Sequence, residues 1–153
     1  DLRGDSTTMH LCGEALGCGF PSTANSRAVL SESSVLICLS DDHWIFETLD
    51  GRQAQVLEQL EEITSGKPHS FVDVSDMYTH IALFGSECRE VLAQCVGIDI
   101  HPSVFCENST ARCAFADTIT QLTCVDDRPT FELSVFSSYE RYVCDYLTRA
   151  MGN

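Results

Sequence analysis

No run of apolar residues in this 153-residue sequence approaches the ~20 that a helix needs to cross a bilayer; Val35 to Leu39 is among the longest. A membrane-spanning helix is excluded. Cations are scarce as well. Nine Lys and Arg stand against 23 Asp and Glu, a formal charge of −14, with the acids spread along the chain and not gathered in a tail. Nucleic acids and anionic membrane surfaces are bound through clustered cations, so neither is an expected partner. Dispersed acid keeps a chain soluble, and beyond that it suits a basic protein partner.

Motifs that carry chemistry are missing too. There is no C-x-x-C, H-x-x-x-H or H-E-x-x-H, and Cys88 and Cys95 stand two helical turns apart, about 10 Å at ~1.5 Å per residue, too far to share one zinc ion. No metal site is predicted. The nucleophile elbow G-x-S-x-G is absent, and His10, His43, His69, His80 and His101 are scattered. No catalytic residue is predicted. Gly13, Gly17 and Gly19 spell G-x-x-x-G-x-G but lack both the Walker lysine and a preceding strand, so no phosphate loop is predicted either. Because the sequence opens at Asp1 and not at Met, the lack of a leader peptide decides nothing.

What is present is globular. A hydrophobic fraction of 44% with 21% charged residues is too apolar for a disordered chain, and the length suits one domain, read here as residues 1–153. Nine cysteines is a high and odd count. Cys88 and Cys95 fall on the apolar face of one helix pattern, Cys144 within another, and Cys38, Cys113 and Cys124 in strand-like runs. Free cysteine behaves as a small hydrophobe, so these read as reduced core thiols in a cytoplasmic protein. A secreted, disulfide-bonded module is the alternative, which a thiol count under denaturing conditions would decide.

Element signals follow in order. Residues 6–17 predict a short helix ended by Gly17 and Gly19, then a polar loop from Pro21 to Ser26. Val35 to Leu39 and Trp44 to Thr48 predict a hairpin turned by Ser40, Asp41, Asp42 and His43. Asp50 and Gln53 stand at capping-box spacing before a helix carrying Val56, Leu57, Leu60 and Ile63. Phe71 to Val74 and Tyr78 to Phe84 predict two further strands around Ser75, Asp76 and Met77. Next comes a helix opened by Ser86, with Cys88, Val91, Leu92, Cys95 and Val96 on one stripe ended by Gly97. Strands are expected near Ala111 to Ala116, Ile119 to Val125 and Thr130 to Phe136, the last two joined through Asp126 to Pro129. A final helix, with Ser137 and Glu140 as a capping box, carries Tyr139, Tyr142, Val143, Tyr146, Leu147 and Ala150 and ends at Gly152. Three strand-strand-helix units imply an α+β fold, mostly antiparallel sheet with helices on one face.

Two short patterns, Asn108-Ser109-Thr110 and Arg3-Gly4-Asp5, match a glycosylation acceptor and an adhesion tripeptide, and both arise readily by chance. Asp41-Asp42-His43-Trp44 carries more information. It sets two carboxylates, an imidazole and the only Trp in one turn, and turns present function more often than cores do. These four residues are the candidate subunit-interface turn; the turn's bland reading is Trp44 packed inward with the Asp pair shaping the bend.

The order of several local strings resembles the gamma subunit family of heterotetrameric sarcosine oxidase, which is related to the folate-binding domain of the glycine-cleavage aminomethyltransferase (T-protein). The strings are Leu2-Arg3-Gly4; Leu16-Gly17 through Phe20-Pro21; Leu39-Ser40-Asp41-Asp42-His43-Trp44; Val72-Asp73-Val74-Ser75-Asp76; Leu83-Phe84-Gly85; Glu90-Val91-Leu92; and Asp99-Ile100-His101-Pro102. His43 departs from the acidic residue the family has before the Trp, and Ser137 from a basic residue before the last helix. The resemblance implies a T-protein-like fold and a cytoplasmic subunit, without its own active site, of an enzyme that oxidatively demethylates sarcosine to glycine. It implies alpha, beta and delta subunits as partners. It places FAD, FMN, NAD, zinc and tetrahydrofolate in the holo-complex and none on this chain alone. The alternative within the same fold is a free-standing folate-binding or one-carbon transfer protein.

Overall fold

A computed structural model describes residues 1–31, 33–48 and 51–152. The chain forms two compact units, Asp1–Val74 and Ser75–Asn153. The first unit runs β1 (Leu2–Gly4), α1 (Ser6–Leu16), β2 (Ser26–Ser31), β3 (Ser34–Ser40), β4 (His43–Thr48), α2 (Gln53–Ile63) and β5 (His69–Phe71). Its strands make one antiparallel sheet in the order β2-β3-β4-β1-β5. The short β1 is held on both sides, with Leu2 opposite Trp44 on one neighbour and Phe71 on the other.

Alternation along a strand sends every second side chain to one face, and here that face is the core. Leu36 and Cys38 of β3, Trp44 of β4 and Leu2 of β1 meet Met9 and Cys12 of α1 and Leu60 of α2 in one buried cluster. Both helices therefore lie on the same side of the sheet. Leu60 is fully enclosed, which stabilises the unit by about 2–3 kcal/mol over an exposed Leu.

The second unit runs β6 (Tyr78–Phe84), α3 (Cys88–Ala93), β7 (Thr110–Phe115), β8 (Thr118–Asp126), β9 (Thr130–Phe136) and α4 (Glu140–Met151). Its sheet is antiparallel in the order β6-β9-β8-β7. Phe131, Leu133 and Val135 of β9, with Leu122 and Cys124 of β8, alternate into a core closed by Cys88, Val91 and Leu92 of α3 and Val143, Leu147 and Ala150 of α4. The loop after α3 is pinned from inside. The Arg89 guanidinium lies 4.9 Å over the Phe131 ring and donates to the carbonyls of Ile100 and Phe105, the latter at 3.0 Å.

The α+β, antiparallel expectation is met, and the hairpins β3–β4 and β8–β9 stand where the sequence predicts them. Five details differ. The helix expected from Ser86 to Gly97 spans only Cys88–Ala93, so Cys95 and Val96 of its stripe lie in the turn and bridge that follow. Ser26–Ser31 is a strand that the alternation did not announce, because four of its six residues are Ser, Arg or Ala. Phe71 to Val74 is not the partner of Tyr78 to Phe84: the strand is His69–Phe71, and it pairs with β1, whereas β6 pairs with β9. Ser137 and Glu140 form no capping box, since the Ser137 hydroxyl donates to the Asp76 carbonyl at 3.1 Å and the Glu140 carboxylate accepts from Thr79 at 3.4 Å. Cys144 is exposed, one position off the buried Val143 and Leu147 stripe. The predicted Asp50–Gln53 cap involves a residue outside the described ones.

Candidate functional site

The first unit holds a broad, open cavity of about 820 Å³ lined by α1 from Ser6 to Glu14, the loop after it and the β3–β4 turn. Each wall follows from local sequence. Asp5 caps α1 by accepting the Thr8 N–H at 2.8 Å, a bond that also holds the Asp5 carboxyl below the usual range. At the other end Gly17 takes a left-handed conformation (φ 68°). Its N–H bonds the Glu14 carbonyl at 3.3 Å, while the Cys18 N–H reaches the Gly13 carbonyl at 2.8 Å. This is a Schellman closure, and it folds the following loop back along the helix. The fit is tight enough that a Cβ on Gly13 would stand 2.5 Å from the Cys18 carbonyl oxygen.

The second wall is Trp44. Its indole N–H donates to the Pro21 carbonyl at 2.8 Å, and its ring meets Phe20 edge-on at a centroid distance of 5.6 Å. Met9 adds apolar surface beside them. The ionisable groups of the lining are His10, Glu14, Cys18 and Asp41, and none of the described lining residues is Lys or Arg. Burial pushes the Cys18 thiol up, so it stays protonated at neutral pH. His10 lies 3.7 Å from Glu14 on the exposed side of the helix. The cavity runs along α1 from Ser6 to its C-terminal end at Gly17, where the last turn carries no basic residue to offset the negative pole of the helix.

Of the four candidate interface residues, the structure brings Asp41 and Trp44 to the cavity and not the other two. The Asp42 carboxylate accepts the Ser40 hydroxyl at 2.7 Å, and its backbone carbonyl accepts the Gly4 N–H at 3.3 Å, so Asp42 shapes the turn. His43 Nε2 lies 2.7 Å from the Asp1 carboxylate. Trp44 does pack inward, and it forms a cavity wall at the same time. Sequence reading missed His10, Glu14, Met9 and Phe20. The available signal was the glycine run from Gly13 to Gly19, which marks a helix C-terminus bent back on itself. That is the wrong pole of a helix for phosphate.

Elsewhere most of the described thiols are buried and three more histidines face polar partners. All nine cysteines are free thiols, six of them buried. Burial raises Cys12 and Cys113 to about 11. His69 lies 2.8 Å from the Glu61 carboxylate and His80 3.0 Å from that of Glu132, while His101 Nδ1 is 2.8 Å from the Ser103 hydroxyl. The two chance motifs have structural explanations. Asp5 of Arg3-Gly4-Asp5 is the α1 cap, and Thr110 of Asn108-Ser109-Thr110 is buried with its hydroxyl 2.9 Å from that of Thr123. No described helix is long and apolar enough to cross a membrane.

Comparison with known proteins places this architecture. No curated protein sequence matches the chain. Among solved structures, it is similar to a chain of the heterotetrameric sarcosine oxidase from Corynebacterium sp. U-96, determined in complex with pyrrole 2-carboxylate. The TM-score is 0.90 at 20% identity, covering 99% of this chain and 77% of that one. At that identity the likeness establishes a shared fold. The model of the sarcosine oxidase gamma subunit family matches residues 3–153, and with nearly every residue accounted for, the chain belongs to that family.

Proposed function

We propose that the chain is the gamma subunit of a heterotetrameric sarcosine oxidase and serves that enzyme as a docking and scaffolding partner with no reaction of its own. The observation that carries this reading is the family match across residues 3–153, which takes in both compact units. The enzyme converts sarcosine to glycine by oxidative demethylation. In this reading FAD, FMN, NAD and zinc sit in the alpha, beta and delta subunits, and the complex works in the cytoplasm as one cooperative whole, with residues 1–153 acting as a single gamma-like domain. The turn at Asp41 to Trp44 is the contact surface.

The chemistry of the cavity supports a docking role over a cofactor role. Tetrahydrofolate carries a glutamate tail and flavin and nicotinamide nucleotides carry phosphates, and all of these anions call for cations or helix N-termini. This cavity offers Glu14, Asp41 and a helix C-terminus. Its residues do not fit those groups. A tagged copy expressed in the native host tests the proposal: it should be recovered with a yellow flavoprotein of much larger mass, and recovery as a lone chain would refute it. Calorimetry of the isolated chain with tetrahydrofolate should show no binding heat, and a saturating heat would instead favour the free-standing folate-binding reading.

A further inference from the structure

We infer that the cavity beside the Asp41–Trp44 turn receives a basic segment of a partner subunit, with an Arg or Lys side chain laid over the Trp44–Phe20 wall and its charge directed at Asp41 and Glu14. The inference rests on the subunit reading above and names what that subunit's site would hold. Three observations point the same way. The lining carries two carboxylates and, among its described residues, no Lys or Arg. The α1 C-terminus adds the negative pole of its dipole, uncompensated by any basic residue in the last turn. The apolar wall is the half-buried Phe20 backed by the largely buried Trp44 and Met9, a surface suited to the aliphatic stem of a long cationic side chain.

Size and rigidity favour a polypeptide segment. About 820 Å³ exceeds what one side chain fills and lies within the range of sites that hold small ligands or a few residues. The walls are set beforehand by the Schellman closure and by the Trp44–Pro21 bond, so binding orders little of this chain. A net charge of −14 steers a basic partner toward the chain from a distance, and the cavity gives that attraction a defined end point.

The test is reconstitution of the complex from the purified full chain and the remaining subunits. The double variant Glu14→Gln/Asp41→Asn is compared with a control, Glu58→Gln/Glu62→Gln, that removes the same charge from exposed positions on α2. The cavity variant should assemble about tenfold more weakly and show a shallower salt dependence, while the control stays near wild type. Matching circular dichroism and melting temperature establish that both variants fold. A second readout uses the only Trp in the chain. Acetyl-Arg-Leu-Arg amide should change the emission of Trp44 saturably, and acetyl-Glu-Leu-Glu amide should not. Wild-type assembly with an equally competent cavity variant overturns the inference and leaves the subunit reading intact. Failure of the wild-type chain to assemble removes both.

Discussion

The indole N–H of Trp44 donates to the carbonyl oxygen of Pro21 at 2.8 Å, tying the start of β4 to the loop that follows α1. Trp44 is only 4% exposed, so the bond is made where water cannot replace it. Trp44→Phe keeps most of the ring but leaves the Pro21 carbonyl without its donor. The expected cost is about 1–3 kcal/mol, measured by urea denaturation followed by circular dichroism. The same variant should also assemble less tightly, because the loop that closes one wall of the cavity is released.

The two glycines of the α1 closure should respond unequally to alanine. At Gly13 the new Cβ meets a backbone oxygen, the Cys18 carbonyl, at 2.5 Å, and backbone cannot step aside as a side chain can. About 3 kcal/mol is expected. At Gly17 nothing lies within 4 Å, so only the left-handed conformation is penalised, by about 1 kcal/mol. Thermal melts of the two single variants should therefore order Gly13→Ala well below Gly17→Ala.

Stability should carry a histidine signature from the first unit. The Glu61 carboxylate beside His69 raises the imidazole above its ordinary 6.5, aided by the Lys67 carbonyl and opposed by burial. Both ring nitrogens face acceptors, Lys67 O at 2.9 Å and Glu61 Oε2 at 2.8 Å, which the doubly protonated ring satisfies. A raised folded pKa means the contribution is complete below 6.5 and disappears as pH climbs through the higher folded value. Subtracting the melting curve of His69→Gln from that of wild type at each pH should isolate this loss on the alkaline side of 6.5. A flat difference would contradict the pairing. The effect is modest, since the Glu61 side chain is 52% exposed and screened by water.

The cysteines make a separate, countable prediction. Under native conditions Cys106 and Cys144 are exposed and should label first, followed by Cys18. Cys12, Cys38, Cys88, Cys95, Cys113 and Cys124 are buried and should react only as the chain unfolds. All nine should label in denaturant without reductant, which mass spectrometry can score directly. Protected sites that stay unlabelled after unfolding would point to disulfides.

The legibility of the fold follows how its signals are written. The α4 stripe of Val143, Leu147 and Ala150 and the alternation of Phe131, Leu133 and Val135 are local periodicities, and each lies in the core as read. Pairing partners are not local. Nothing near Phe71 states that its neighbour is Leu2, so the adjacent Tyr78 to Phe84 run was the natural but mistaken choice. The Ser137–Glu140 spacing likewise fits a cap, yet Asp76 and Thr79 take those side chains through contacts 61 residues distant along the chain. Two residues of the candidate site, Asp41 and Trp44, could be read from one turn. The rest was not: Met9, His10 and Glu14 meet that turn through the packing of α1 on the sheet, and Phe20 through the reversal at Gly17.

Native mass spectrometry of the complex isolated from its own host tests the central claim most directly. The account predicts one copy of this polypeptide bound with three different subunits, one or more of them carrying flavin, and its release as the salt concentration is raised. Finding it throughout as an unaccompanied species, with the oxidase complete and active in its absence, would contradict the account.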